Sequence, residues 1–433
     1  MSVSGSCSPL YFVDEIESGV CAAANAGIAL QRDTSEIYQG RFVEIDAARL
    51  LNFGGCSYLG LEQRSELRQG AIDAIHRFGT QFSFSRVYLE SPLYAELEGL
   101  LELVTGGSVL VASSTSLAHI AALPVLVGPK DAVLVDRSAH ASVHTAAALL
   151  KDIFVASVPH NRMDLLEEQL VHLSGKHSRV WYLLDGLYSM QGDFAPLERL
   201  ERLMHEYPAL HLYVDDAHST SWTGKHGRGY ALDFFSNRER VVVALSLNKA
   251  FSTAGAALVF ADPAQRDRVR RCGGPLLFSG PVQPPMLGAA IASARLHLQP
   301  AFHDLQQALL ERIRRVVSLA ASLGVAISND ELTPIFFVRC GPLERTAELI
   351  HGLRARGLYV SAGAFPAVPQ NKSGVRFTVS LHNTFEDIEH LLTTLAEATQ
   401  QVGAREQAVL AGLAGLSAEA ANQNSSSQLP VAS

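Results

Sequence analysis

Lys249 stands in the stretch LSLNKAFSTAG, directly after an apolar run and before a turn of small residues, where a lysine is hard to justify as surface decoration. Withdrawn from water, such a lysine has a lowered pKa and can form a Schiff base with a carbonyl compound. Alone, it reads better as a lysine snorkelling from a strand end. Asp215 changes the balance. It closes the run HLYV, 34 residues before Lys249, and is followed by Asp216, Ala217 and His218. A carboxylate one strand away from such a lysine is what keeps a pyridine nitrogen protonated, which makes the ring of pyridoxal 5'-phosphate an electron sink. Singly, Asp215 reads as a helix cap and His218 as a core histidine. With Lys249 they point to pyridoxal-phosphate chemistry.

Further residues fit the same cofactor. Ser113, Ser114, Thr115 and Ser116 lead from one apolar run into the helical stretch beginning Leu117-Ala118. Hydroxyls and free N–H groups at a helix N-terminus suit a phosphate, although the same run is also an ordinary helix cap. Ser246, three residues before Lys249, offers another phosphate hydroxyl. His140, in RSAHASVH, follows an apolar run and can stack on a flat cofactor ring. His140 and His144 have the spacing of two metal ligands, but no third ligand accompanies them, so no metal is expected. Arg376, in GVRFTVSLH, can hold a substrate carboxylate as a bidentate pair, and reads equally as a surface arginine.

The elements that must carry these residues are legible as seven apolar runs between residues 109 and 262: VLVASS, AVLVDRS, IFVASVPH, RVWYLLDG, HLYVDDAH, VVVALSL and AALVFAD. Continuous apolar runs suit strands buried on both faces, and the segments between the first six are long enough for crossover helices, which is the α/β pattern. The last two runs lie too close for a parallel crossover, so the seventh strand is expected to be antiparallel. Because Ser113–Ser116, His140, Asp185–Ser189, Asp215 and Lys249 all fall where a run ends, they should share one crevice beyond the carboxyl ends of the strands. No G-x-G-x-x-G and no P-loop occurs. After about residue 290 the pattern changes to amphipathic helices (Ala301–Leu323, Arg345–Arg356, Phe385–Gln401) and the extended stretches TPIFFVRC, GLYVSAGAFPAVP and GVRFTVSLH, a smaller α+β unit. The expected division is therefore an N-terminal segment 1–50, a large α/β domain 51–290, a small α+β domain 291–403, and a tail 404–433 read as a fraying helix followed by disorder.

Composition narrows the partners. Across 433 residues, 35 Lys and Arg face 43 Asp and Glu, a formal charge of −8, and 48% of residues are hydrophobic. This is a core-forming chain without a basic block, which argues against nucleic acid or an anionic membrane surface as the main partner. Five scattered cysteines without a C-x-x-C pair indicate neither a disulfide framework nor a zinc site, and suggest a reducing, cytoplasmic setting. No signal-like N-terminus and no membrane-length apolar stretch is seen, so membrane insertion is not expected.

From about Leu51 to Val402 the sequence resembles the α-oxoamine synthases, fold-type I pyridoxal-phosphate enzymes. The resemblance rests on NFGGCSYLGL, FGTQFSFSR, PLYAELE, DRSAHAS, DGLYSMQGDFAPL, YVDDAHSTSWTGKHGRG, ALSLNKA, FPAVP and GVRFTVS. It implies a fold-type I transferase with a seven-stranded, mostly parallel sheet containing one antiparallel strand, and a smaller C-terminal α+β domain. It implies that Lys249 carries the cofactor Schiff base, Asp215 pairs with the pyridine nitrogen and His140 stacks on the ring. His218 and Ser189 match residues near the cofactor's phenolic oxygen, Ser246 a phosphate hydroxyl, and Arg376 the arginine that receives the amino-acid carboxylate. Such enzymes are homodimers that condense an amino acid with an acyl thioester, on coenzyme A or an acyl carrier protein, with loss of carbon dioxide.

Three positions depart from the family pattern: Cys56 where an asparagine that helps hold the substrate is usual, Thr115 for a glycine of the phosphate turn, and Asn383 for a histidine. They place the change in the amino-acid pocket, and the pattern resembles the branch making long-chain amino ketones. An aminotransferase on the same fold would use the same Lys249 and Asp215 but release a keto acid. A catalytically silent binding module is disfavoured by the intact set of Lys249, Asp215, His140 and His218.

Overall fold

The computed structural model describes residues 9–401. The proposed tail 404–433 lies outside them. A first helix, α1 (Pro9–Asn25), is followed by the hairpin β1 (Phe42–Ile45) and β2 (Ala48–Asn52), then helices α2 (Ser65–Phe78) and α3 (Pro92–Thr105). Strands and helices then alternate: β3 (Ser108–Ala112), α4 (Thr115–Leu126), β4 (Ala132–Asp136), α5 (Ala141–Ala148), β5 (Phe154–Val158), α6 (Met163–Leu173), β6 (Val180–Asp185), α7 (Leu197–Glu206), β7 (Leu210–Asp215), α8 (Tyr230–Phe234), β8 (Val241–Ser246) and β9 (Ala256–Phe260).

All seven apolar runs are strands of one sheet, ordered β3-β9-β8-β7-β6-β4-β5. β9 pairs antiparallel with both β3 and β8, and the other pairs are parallel, so the expected antiparallel strand is present. The pleat sends alternate side chains to two cores. Leu134, Tyr182, Leu184, Leu212 and Val214 enter one, and Val133, Val135, Trp181, Leu183 and Tyr213 enter the other. Each such buried aliphatic side chain contributes about 1.5–3 kcal/mol relative to exposure. One strand departs from expectation. β5 is the edge of the sheet, with Phe154 and Val155 exposed, because IFVASVPH has a neighbour on one side only.

The chain continues through α9 (Pro263–Cys272), α10 (Gly274–Phe278), α11 (Pro284–His297) and α12 (Phe302–Leu323) to β10 (Ile335–Gly341), α13 (Leu343–Arg354), β11 (Leu358–Tyr359), β12 (Ser361–Gly363), β13 (Ser373–Thr378) and a last helix over 385–401. β13 is the centre of an antiparallel sheet β10-β13-β12, and β11 adds in parallel to the N-terminal hairpin through β2. β2 thus runs across position 51 and ties the start of the chain to its last third. Helices α2 and α11 approach through glycines: a Cβ on Gly288 would lie 2.1 Å from the carbonyl oxygen of Gly70, so only glycine allows this spacing. Among the described residues, no helix is long and apolar enough to cross a membrane.

Candidate active site

The strands β3, β8, β7, β6 and β4 all end on the same edge of the sheet. Register places Ser246 opposite Ala256, itself opposite Ala112, and places Asp215 opposite both Ala244 and Asp185. One row of strand ends therefore presents the Ser113–Ser116 turn, Ser246, Asp215 and Asp185, with Lys249 three residues past β8. The crevice expected from the sequence is this edge.

Asp215 is buried, and burial by itself would raise its pKa. Opposing this, His119 Nε2 lies 2.9 Å from Asp215 Oδ2, and Lys249 and His140 add positive potential, so the carboxyl is held below its usual range and stays ionised. An ionised carboxylate only accepts, so His119 Nε2 carries a proton. Its Nδ1 lies 2.8 Å from the hydroxyl of Tyr213. Asp185, the neighbour of Asp215, behaves oppositely: burial first, then the charge of Asp215, drives its pKa well above the carboxylate range, against one backbone donor, the N–H of His140 at 3.0 Å.

Lys249 is half-buried rather than fully enclosed, and lies within electrostatic reach of Asp215, Asp185, His140 and His218. His140 forms the N-cap of α5, its Nδ1 accepting from the N–H of Ser142, and its ring is open to the crevice. Burial of part of the ring lowers its pKa. His218 is buried and neutral, because desolvation followed by the charges of Lys249 and Arg376 pushes its pKa well below the usual imidazole value. Its Nδ1 lies 2.8 Å from the hydroxyl of Tyr58, a phenol that burial keeps protonated. With Tyr58 donating, His218 carries its proton on Nε2.

Ser114 Oγ caps α4 by accepting from the N–H of Leu117 at 3.2 Å, so the ordinary cap is realised there, leaving the hydroxyls of Thr115 and Ser116 and the first amides of a 12-residue helix for an anion. Ser246 is buried and accepts from the N–H of Asn248. Arg376, on the central strand β13, is buried rather than a surface arginine. Its Nε donates to the carbonyl of Ser189 at 2.7 Å, and its Nη2 approaches Cys56 Sγ at 3.7 Å. Ser189 therefore meets Arg376 through its backbone, and Cys56 lies beside the arginine. Asn383 does not line this pocket: it is buried, donates to the carbonyl of Asn52 and accepts from Ser380, so this departure tunes backbone packing.

Sequence reasoning assigned no role to His119, Tyr58 and Asp185. A histidine inside the otherwise apolar helix TSLAHIAALPVL was the available signal for His119. The arrangement holds an ionised carboxylate, a nearby amine, an open imidazole ring, a capped helix start and a buried guanidinium on one crevice. That donor set fits a pyridine nitrogen, a carbonyl, a flat ring, a phosphate and a carboxylate in turn.

The fold and this crevice define a fold-type I pyridoxal-phosphate transferase. The chain belongs to the aminotransferase class I and II family, whose profile matches residues 50–395. It is 34% identical over 374 residues to the 8-amino-7-oxononanoate synthase of Maricaulis maris, covering 85% of this chain and 91% of that protein. To the 8-amino-7-oxononanoate synthase of Petrotoga mobilis it is 28% identical over 397 residues, 90% of this chain and 99% of that one. A serine palmitoyltransferase from S. paucimobilis superposes with a TM-score of 0.83 at 22% identity, over 92% of this chain and 100% of the other.

Proposed function

We propose that this protein is an α-oxoamine synthase, a pyridoxal-phosphate acyltransferase that condenses an amino acid with an acyl thioester and releases carbon dioxide to leave an α-amino ketone. The observation that carries the reading is the joint placement of Lys249, ionised Asp215 and buried Arg376 on one crevice, in a chain whose curated relatives bear synthase names.

The bound cofactor supplies an electron sink for the carbanion at the amino acid's Cα. Asp215, its charge secured by His119, holds a ring nitrogen protonated. His140 stacks on the ring, and Thr115, Ser116 and Ser246 hold the phosphate end, with Ser114 capping the helix that presents them. Arg376 receives the amino-acid carboxylate, with Cys56 at its side. Lys249, as a free amine, would remove the Cα proton, and Cα would then bond to the thioester carbonyl carbon as the thiolate leaves. Neutral His218, with its proton on Nε2, or the protonated Lys249 returns a proton after carbon dioxide leaves.

A homodimer belongs to this reading and is supported by an exposed apolar patch near the crevice. Phe84, Val87, Tyr88 and Leu89 lie on one side of it and Phe278 on the other, joined where Ser85 Oγ donates to the carbonyl of Leu277. The phosphate turn reaches the same region through Ser113 and the carbonyl of Gly280. The reading includes coenzyme A or an acyl carrier protein as thioester carrier. It also includes a reducing, cytoplasmic setting, supported by cysteines that are free among the described residues. We also propose a division of the chain near residue 290, supported by a core made largely of residues beyond it.

The test is to mix purified protein with an amino-acid panel and acyl-CoA and follow thiol release. Thiol and carbon dioxide released together support the reading. Keto acid formed without thiol release would instead make the protein an aminotransferase.

A further inference from the structure

Outside the residues given roles above, a part-buried polar cluster is built on His160. Its Nδ1 lies 3.1 Å from Oδ1 of Asp136, at the end of β4, and its Nε2 lies 2.7 Å from Oδ2 of Asp193, in the loop after β6. Two carboxylates from separate elements are thus joined by one ring. Each already has other donors. Asp136 accepts from the hydroxyl of Tyr182 at 3.0 Å and from the backbone N–H groups of Ser138 and Asn161, while Asp193 accepts from Asn161 Nδ2 at 3.0 Å. The ring of Tyr188 stands edge-on to His160 at 4.3 Å, and Glu331 lies beyond Asp193, accepting from the N–H of Phe194.

Both carboxylates belong to walls of the crevice. Asp136 holds the turn that delivers His140, through the N–H of Ser138. Asp193 closes the loop that delivers Ser189, since its carbonyl accepts from the N–H of Tyr188 and the loop ends are bridged at Leu187 and Phe194. Ser189 in turn accepts from Arg376.

We infer that His160 is a positioning residue, a doubly donating imidazolium that pins the His140 turn and the Ser189 loop at a fixed separation and so sets where Arg376 offers its guanidinium. An imidazole can donate from both nitrogens only when protonated. Burial works against that charge, but the hydrogen bonds to Asp136 and Asp193 overcome it and raise the pKa to about 9. Above that pH one carboxylate loses its donor and two anions face each other across a neutral ring. The folded value exceeds the unfolded one, so the pin holds in the folded protein until pH approaches about 9, and the stability it adds is fully present below the ordinary histidine pKa and lost as pH rises through about 9.

The inference rests on the acyltransferase reading for the role of Arg376, and its test separates the two. The wild type, His160→Gln and Asp193→Asn are compared by amino-acid KM against kcat across pH, and by backbone hydrogen exchange over 187–194 corrected for intrinsic pH dependence. His160→Gln should raise KM roughly tenfold or more with a smaller change in kcat, the pattern of a displaced binding group. Asp193→Asn removes one anion, so the alkaline midpoint of both readouts should move to lower pH, while titration of the substrate amine is common to all three proteins. An unmoved midpoint in Asp193→Asn, or a wild-type KM in His160→Gln, overturns the inference. If His160→Gln fails to fold, the Asp193→Asn midpoint decides. A wild type that releases no thiol yet shows the exchange shift would reject the acyltransferase reading and leave the pin standing.

Discussion

Asp185 and Asp215 are register partners at the ends of adjacent parallel strands, both buried, and they hold their protons in opposite ways. Lys249 acts on both, but Asp215 also faces His119 and His140, whereas Asp185 has beside it only one backbone N–H against burial and the charge of its neighbour. Two like charges this close do not both persist at low dielectric, so the partners decide which one ionises. The ionised one is the residue to which the proposed function gives the cofactor's ring nitrogen.

Replacing each by asparagine separates the roles. Asp215→Asn should reduce kcat roughly 10²- to 10⁴-fold, the range for losing a group that manages a proton in the transition state. Asp185→Asn keeps an acceptor for the N–H of His140 and changes no charge, so its steady-state rates should stay close to the wild type. Equal losses in both would contradict the assignment.

His119 secures the charge on Asp215, so His119→Leu should raise the pKa of that carboxyl. Activity then fails at a higher pH on the acid side, because a depressed carboxyl pKa protects the anion until pH falls through it. The acid limb of the kcat profile reads this directly, and an unmoved limb would mean that His119 only fills space.

Tyr58→Phe removes the hydroxyl 2.8 Å from His218 Nδ1 and leaves a buried ring nitrogen without its donor. The stability cost should be about 1–3 kcal/mol, seen in denaturant unfolding, with kcat reduced because His218 loses its fixed tautomer. A variant with wild-type stability and turnover would show that the pair has no role.

Cys56→Asn changes a side chain that touches Arg376 and should alter amino-acid preference more than thioester preference. Paired amino-acid and acyl-CoA panels measure both. Unchanged amino-acid preference would remove Cys56 from the pocket.

Gly288→Ala tests the frame beneath the site. The added Cβ meets the carbonyl of Gly70 at 2.1 Å, and forcing α2 and α11 apart should cost about 1–3 kcal/mol. An unchanged thermal midpoint would contradict the close helix contact.

The seven strands were legible because each is an uninterrupted apolar run, and the seventh strand's direction followed from the short connection before it. The exposed edge was not legible, since IFVASVPH reads like its neighbours and only strand order makes β5 the outermost. At the site, Lys249, Asp215 and His140 announced themselves by standing where runs end. His119 did not, because it meets Asp215 across 96 residues and its meaning depends on α4 packing over β8 and β9, from where its ring reaches the end of β7. Tyr58, 160 residues from His218, was hidden for the same reason. Arg376 was ambiguous in sequence, and its burial at the centre of β10-β13-β12 resolves it.

If Lys249 anchors pyridoxal 5'-phosphate, borohydride reduction of the cofactor-loaded protein fixes the cofactor to it, and peptide mass spectrometry reads the attachment. A pyridoxyl group is expected on the peptide containing Lys249 and absent in Lys249→Ala. A folded, cofactor-loaded protein with Lys249 unmodified would contradict it.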